Sequence, residues 1–325
     1  MLRKKMKLSI VVPVFNEEES LSETFKRLQN LRQKLIGELD SEFIFVDDRS
    51  TDRSPVILRG FAREHPHVKV ITFSRNFGHQ IAITAGLDHA SGDYVAIIDA
   101  DLQDPPELIE DMYRLACTGY DVVYGQRKSR VGESWFKKLT ASIFYRVMSY
   151  MCEFEIPVDT GDFRLITRRV ADAVAQLRER HRYMRGMVPW VGFRSVALSY
   201  DRDERYAGET KFPFAKMMGF AINAILSFSK KPLTVATRIG LFTVVMGLLG
   251  AIYMLWLKLF TSVPVPGLTA ILVTIIIFSG VQIFLIGVVG EYISRIFEEA
   301  KARPLYIVAE TSNISAKDCA ASANL

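Results

Sequence analysis

Two apolar runs, residues 234–259 and 268–289, set the outline of this chain. Each is long enough to cross a bilayer, which takes about 20 apolar residues, and only the short turn TSVPVPG separates them. Nothing else in the chain is large enough to enclose two such helices as a core, so they read as a transmembrane hairpin. Lys230 and Lys231 precede the first run and Arg238 lies near its start, Arg295, Lys301 and Arg303 follow the second, and the turn carries no charge. That distribution predicts a multi-pass protein of the cytoplasmic membrane with its main domain on the cytoplasmic side. The N-terminus is basic and then apolar, but the apolar run is too short for a signal peptide and reads as a first strand.

Upstream, strand-like and helix-like patterns alternate. Residues 8–14 read as a buried strand, and Leu21, Phe25, Leu28, Leu31 and Leu35 fall at helical spacing behind it. Further strands are expected at 43–46, 68–73, 94–98 and 122–124, with helices around 56–62 and 78–89 between them. Such alternation implies an α/β domain with a mostly parallel sheet covered on both faces. The stretch after Ile307 shows no periodicity and is expected to be a mobile tail.

Three strand ends carry chemistry: Pro13 to Glu17, Asp47-Asp48, and Asp99-Ala100-Asp101. In a parallel sheet all three meet along the C-terminal edge, where α/β proteins bind ligands. Two acids at a buried strand end repel unless a cation or donors compensate them. Asp99 and Asp101, with Gln103 as a neutral oxygen, form an all-oxygen set suited to Mg²⁺ or Mn²⁺. Asp104, ahead of Pro105-Pro106, reads as an ordinary helix N-cap. No G-x-G-x-x-G and no G-x-x-x-x-G-K-[ST] is present. The three cysteines are scattered, which indicates neither a disulfide framework nor a zinc site, and the five histidines form no visible cluster.

The net charge of +5 favours anionic partners. Basic residues gather from Arg127 through Lys128, Arg130, Lys137 and Lys138, ahead of a segment at 135–151 that reads either as an amphipathic helix on a membrane surface or as a core-facing one. A second interfacial helix is expected at 212–231, ending in Lys230-Lys231. These cations stand beside apolar helices rather than among exposed stacking aromatics, so membrane lipids, not nucleic acid, are the expected partners.

Together VVPVFNEEE, FVDDRSTD, SRNFGHQIA, DADLQDPPELI, Gly125-x-Arg127-x-x-Arg130, DTGDFRL and RYAGETKFP resemble family 2 glycosyltransferases. With the hairpin, the order is similar to the polyprenyl-phosphate glycosyltransferases, meaning bactoprenol glucosyltransferases and, more distantly, dolichyl-phosphate mannose synthases. The resemblance implies a GT-A, Rossmann-like domain over 1–211, an interfacial helix at 212–231, a hairpin at 232–295 and a cytoplasmic tail at 296–325. It implies a metal-dependent, inverting hexosyltransferase that moves one sugar to polyprenyl (undecaprenyl) phosphate. UDP-glucose is the donor of the closest resemblance, and GDP-mannose with a dolichyl carrier is the alternative.

By the same resemblance Pro13, Phe15, Glu17, Asp47, Asp48, Asn76, Gly78 and Asp99 would bind the sugar nucleotide, with Asp48 accepting from a base N–H. Asp99, Asp101 and Gln103 would hold the metal. Asp101, Asp159, Asp162 and Arg164 would serve at the reacting sugar, and Arg127, Arg130, Lys137, Arg205 and Lys211 would hold the lipid phosphate. Glu17 could equally complement a helix dipole, Asp47 cap a helix, and Gly78 make a tight turn; Glu18 and Glu19 read as solvated. DTGDFR and RYAGETK, taken alone, could be turns with surface ion pairs. Arg49 departs from the family, which often has glycine after the paired acids. No Q-x-x-R-W signal is found, the nearest stretch being Arg185 to Trp190, so one transferred sugar is expected rather than a polymer. A membrane-tethered nucleotide-sugar sensor without turnover is the rival of another class, against which the intact acid pair argues. A lone hairpin buries little helix surface and could associate with copies of itself.

Overall fold

The computed structural model describes residues 5–128, 160–201, 229–260 and 267–314. They fall into two compact units: one built on a sheet, which takes up the chain again from Pro304, and one holding two long helices.

The sheet unit has β1 (Met6–Val14), α1 (Leu21–Leu35), β2 (Leu39–Asp47), α2 (Ser54–Glu64), β3 (Val68–Phe73), α3 (His79–His89), β4 (Tyr94–Ile97), α4 (Leu108–Cys117), β5 (Val122–Arg127), β6 (Thr160–Thr167), α5 (Arg168–Gln176), α6 (Met184–Trp190), β7 (Ser195–Tyr200) and β8 (Val308–Ser312). The strands form one eight-stranded sheet in the order β7-β5-β6-β4-β1-β2-β3-β8. β1 pairs in parallel with β2 and β4, β2 with β3, and β5 with β7. β6 runs antiparallel between β4 and β5, and β8 antiparallel along β3. The mostly parallel sheet expected from the alternation is therefore present.

The chain steps outward from β1 through β2 to β3, then returns to place β4 on the other side of β1. The crevice between the C-terminal ends of β1 and β4 is thus a topological switch point, where such sheets bind ligands. Pro13 is tolerated inside a central strand because β4 pairs only as far as Val11, so no ladder N–H is needed on that side at residue 13. The five apolar positions of α1 are all buried, as their spacing predicts. α3 packs tightly over β1 because Gly86 has no Cβ; one there would lie 2.1 Å from a methyl of Val11. This close seating fixes where the first turn of α3, carrying His79 and Gln80, meets the rim.

Several expectations need correction. Thr160–Thr167, read in isolation as a turn, is a strand whose buried run Gly161 to Ile166 fills the space between β4 and β5. The supposed tail beyond Ile307 supplies β8, which covers the open edge of β3. Asn313 behind it donates through Nδ2 to the carbonyls of Ala62, His65 and Val68. Tyr306 stacks on Phe73 and donates its hydroxyl to Asp88. A five-residue edge strand shows no helical or long alternating period, because its partner and not its sequence holds it in place. The unit boundary therefore falls at Pro304, and the segment after it belongs to the sheet unit. α4 begins at Leu108, four residues after Asp104, so Asp104 is not its cap.

In the second unit, α7 (Lys231–Phe260) and α8 (Leu268–Ala300) have stretches of mean hydropathy 2.0 and 1.9, long and apolar enough to cross a membrane, with their apolar side chains outward. Both run further than the apolar stretches alone suggest, since α8 continues past Val289 through Glu291 and Arg295, an i,i+4 pair at 3.8 Å. The segments expected to be interfacial, 135–151 and 212–228, lie outside the described residues.

Candidate active site

The rim is built from loops tied to one another by their own backbones. After β1, Asn16 adopts φ +56 and its side-chain oxygen accepts from the Thr51 N–H at 2.7 Å. The Glu17 N–H donates to Ser54 Oγ, and Glu18 accepts from the Arg53 N–H at 2.8 Å, so Glu18 ties the loop ahead of α2 and is not merely solvated. Glu17 accepts from the Ser20 hydroxyl just ahead of α1. Phe15 stays 41% exposed at the mouth, while Pro13 is buried within β1 and offers the ligand no surface. Arg49, the departure from the family pattern, has φ +62. The position needs the left-handed backbone that glycine adopts freely, and arginine occupies it under strain.

Asp47 and Asp48 are both buried and turned inward. Asp47 Oδ1 accepts from the Ser50 N–H, closing the turn rather than capping a helix. The Asp48 carboxylate accepts from the Phe77 and Gly78 N–H groups at 2.6 and 2.9 Å. Burial pushes its carboxyl above the usual range, and those two amides hold it partly back. Each oxygen thus accepts one hydrogen bond from the 77–78 turn, which holds the carboxylate beside the loop after β3. Asn76 donates to the Asp48 carbonyl, and Gly78 has φ +102 with open space where a Cβ would stand. Its φ is one that L side chains rarely adopt, as a tight turn at this position requires.

Past β4, Asp99 stands at the rim and Asp101 is buried, its Oδ1 accepting from the Gln103 N–H at 3.2 Å. Between them and Gln103, Leu102 is held at φ +60 with its side chain buried, a strained residue in the loop that carries the acids. His79 Nε2 lies 3.4 Å from Asp99 Oδ1 and 3.5 Å from Asp162 Oδ2. Burial, reinforced by Asp162, Asp104 and Asp101 and eased by His79, pushes the Asp99 carboxyl up to about 6. Burial opposes a charge on His79, but the two carboxylates outweigh it and lift the imidazole to about 9.

Asp162, near the start of β6, is the hub of this cluster. It accepts from Gln80 Nε2 at 3.0 Å and from Arg185 Nε and Nη2 at 3.3 Å each, with Arg164 Nη2 3.9 Å away. Burial works against its charge, yet Arg185, His79 and Arg164 hold it well below the usual carboxylate range. Gln80 also accepts from the Met184 N–H, clamping α6 to α3. Arg164 is buried and donates to the carbonyls of Gly161, Asp162 and Met184. It buttresses the start of β6, which corrects its expected place against the reacting sugar.

The structure thus brings Asp99, Asp101, Asp162, Arg164 and Arg127 to one rim, and adds His79, Gln80 and Arg185, which no local pattern marked. Of these, only His79 and Gln80 lay within a quoted motif, directly after Gly78. Asp159, Arg130, Lys137, Arg205 and Lys211 lie outside the described residues. Among the described residues no three His, Cys, Asp or Glu side chains gather as a ready-made metal cage. Two carboxylates with one amide, and a buried Asp99 oxygen that makes no hydrogen bond among the described residues, nevertheless suit a hard cation that takes its remaining ligands from substrate and water.

The family described as Glycosyl transferase family 2 matches residues 9–175, and the GtrB C-terminal hairpin matches residues 231–296. The uncharacterized glycosyltransferase YkcC of Bacillus subtilis is 48% identical over 97% of this chain and 97% of its own. Glycosyltransferase sll0501 of Synechocystis is 43% identical over 94% and 95%. The bactoprenol glucosyl transferase of Shigella phage SfV is 40% identical over 93% and 98%.

Proposed function

The chain belongs to glycosyl transferase family 2, and on that premise we propose that it moves one glucose from UDP-glucose to a polyprenyl phosphate of the undecaprenyl type, at the cytoplasmic face of a membrane. The observation that carries this reading is the extent of the likeness to the bactoprenol glucosyl transferase of phage SfV, which spans the rim and the apolar helices together.

The chemistry of the rim supports it. A phosphate monoester has a second pKa near 6 and is largely doubly ionised at neutral pH, so as a nucleophile it needs little help from a base. Asp162 is unsuited to be that base, because its proton would have to displace ion pairs with Arg185 and His79. It is a positioning residue, holding Arg185 and His79 beside Asp99. The electrostatic obstacle is the approach of one phosphate to another, since like charges about 4 Å apart repel by about 4 kcal/mol at an effective dielectric of 20. Asp99, Asp101 and Gln103 would hold Mg²⁺ or Mn²⁺, which when bound would offset charge on the leaving diphosphate. Arg185 and His79 place further positive charge at the same rim, and Arg127 stands at the end of β5 for the acceptor phosphate; the resemblance assigns Arg130, Lys137, Arg205 and Lys211 to that phosphate as well. Direct displacement at the anomeric carbon inverts its configuration.

A panel of UDP- and GDP-sugars offered with undecaprenyl and dolichyl phosphates tests this, with glycolipid detected by mass. UDP-glucose and undecaprenyl phosphate are expected to yield a single-sugar lipid and UDP. Mannosyl lipid made only from GDP-mannose would shift the donor assignment. Donor hydrolysis or binding with no glycosylated lipid under any combination would overturn the reading.

A further inference from the structure

Arg127 sits where three other segments close around its side chain, and we propose that Gly161, Asp104, Tyr200 and, on its own strand, Gly125 are positioning residues that aim its guanidinium at the acceptor phosphate. The inference rests on the function proposed above and assigns a role to residues which that function leaves unused.

Arg127 is the last residue of β5, and its side chain is 17% exposed. A Cβ at Gly161, on the neighbouring strand β6, would lie 2.9 Å from its Nη2, so glycine there is the space the guanidinium occupies. Gly161 has no left-handed φ to explain it. Asp104, which is 1% exposed, places Oδ1 at 3.8 Å from Nη2, and its Oδ2 would lie 3.8 Å from the same Cβ at Gly161. The Tyr200 hydroxyl, at the end of β7, donates to that same carboxylate oxygen, and burial followed by Asp104 raises the phenol above its usual range. The Tyr200 ring in turn fits because of a second glycine: a Cβ at Gly125 would lie 2.9 Å from its Cε1 and 2.8 Å from Phe163.

The arrangement holds Arg127 without saturating it. Its contact to Asp104 is longer than a hydrogen bond, and Nε is buried with no hydrogen-bond partner among the described residues. A half-buried guanidinium that also bonds the Tyr200 hydroxyl yet leaves Nε without a hydrogen-bond partner among the described residues is suited to an oxyanion, for which its planar fork is matched. Asp104 lies five residues after Asp99 in the same loop, so the seat ties the acceptor cation to the loop carrying the rim acids. A purely structural ion pair would close to direct hydrogen bonds and would need no glycine opposite it.

The test uses the full-length protein in detergent with undecaprenyl phosphate, following KM for each substrate and direct lipid-phosphate binding. Gly161→Ala is expected to raise the lipid-phosphate KM between about tenfold and a hundredfold, as a misplacement of about 1 Å can do, with the sugar-nucleotide KM unchanged. Tyr200→Phe, which keeps the ring and removes the hydroxyl that bonds Asp104 and Arg127, is expected to raise the same KM about fivefold. In an Arg127→Ala background, Gly161→Ala should add nothing, because the group it displaces is gone. A full Gly161→Ala effect persisting without Arg127, or lipid-phosphate KM and binding unchanged in both single variants, would overturn the seat. An increase in the sugar-nucleotide KM alone would also overturn it, by giving Arg127 to the donor. Absence of any transfer by the unaltered protein would instead remove the proposed function, and binding of undecaprenyl phosphate to the variants would still decide the seat.

Discussion

Glu42 and Asp99 are both acids of one sheet unit, and they are treated in opposite ways. Glu42, in β2 and 3% exposed, has Lys7 Nζ at 2.7 Å and Lys69 Nζ at 3.0 Å, and it accepts from the Ser9 and Ser91 hydroxyls and the Ser91 N–H. Burial opposes its charge, but these partners hold it down to about 2. Asp99 has His79 at 3.4 Å and Arg185 acting on it, but Asp162, Asp104 and Asp101 also crowd it, and it is pushed up to about 6. A carboxylate with a surplus of donors stabilises the fold, whereas one with a deficit is poised for a cation that arrives with the ligand. Backbone strain gathers at the rim too, although Ala302 and Asn313 carry left-handed φ elsewhere. Asn16, Arg49 and Leu102 carry left-handed φ in the loops leaving β1, β2 and β4, all at the rim that holds Asp99.

The largest effect should come from Asp99→Asn. Turnover is expected to fall by about a thousandfold or more, as when a group that stabilises transition-state charge is lost. The melting temperature should hold or rise, since the change removes a charge that burial disfavours. Glycolipid formation and thermal unfolding read the two effects separately, and a large loss of stability would break the contrast with Glu42. Glu42→Gln should do the reverse. Stability is expected to fall by about 2 kcal/mol, less than for a wholly enclosed pair because Lys7 and Lys69 keep partial access to water, while turnover per folded molecule stays unchanged.

Acid sharpens the comparison further. The Glu42 carboxyl is lowered from 4.5 to about 2, so its contribution is complete above pH 4.5 and is lost as pH falls through about 2. The melting-temperature gap between the unaltered protein and Glu42→Gln should therefore be constant above pH 4.5 and close below it; a gap that widens in acid would contradict the assignment. The smallest effect belongs to the strained rim. Arg49→Gly should stabilise by about 0.5–1 kcal/mol by relieving the left-handed backbone, net of glycine's greater freedom when unfolded. An equal loss would show that the arginine side chain contributes more than its backbone costs.

Much of this molecule is legible along the chain. The hairpin follows from length and apolarity, and α1 from the spacing of Leu21, Phe25, Leu28, Leu31 and Leu35. The gathering of Asp47, Asp48 and Asp99 on one edge follows from parallel strands that all end there. Arg49 was legible as a departure, although its meaning, a left-handed backbone, is visible only in the fold. β6 escaped because DTGDFR looks like a turn until β4 and β5 stand on either side of it. β8 escaped because an edge strand of five residues takes its order from β3.

Local periodicity and strand polarity thus determined by themselves that the chain has an α/β unit with an acidic rim and a membrane-directed hairpin, because both are properties of neighbouring residues. Only the tertiary structure decided which charged groups meet. Gln80 and Asp162 are 82 positions apart, and Asp104 and Tyr200 are 96 apart. No spacing rule relates such pairs; strand order and register bring them together, and partners acquired in that way set whether a buried acid supports the fold or awaits a ligand.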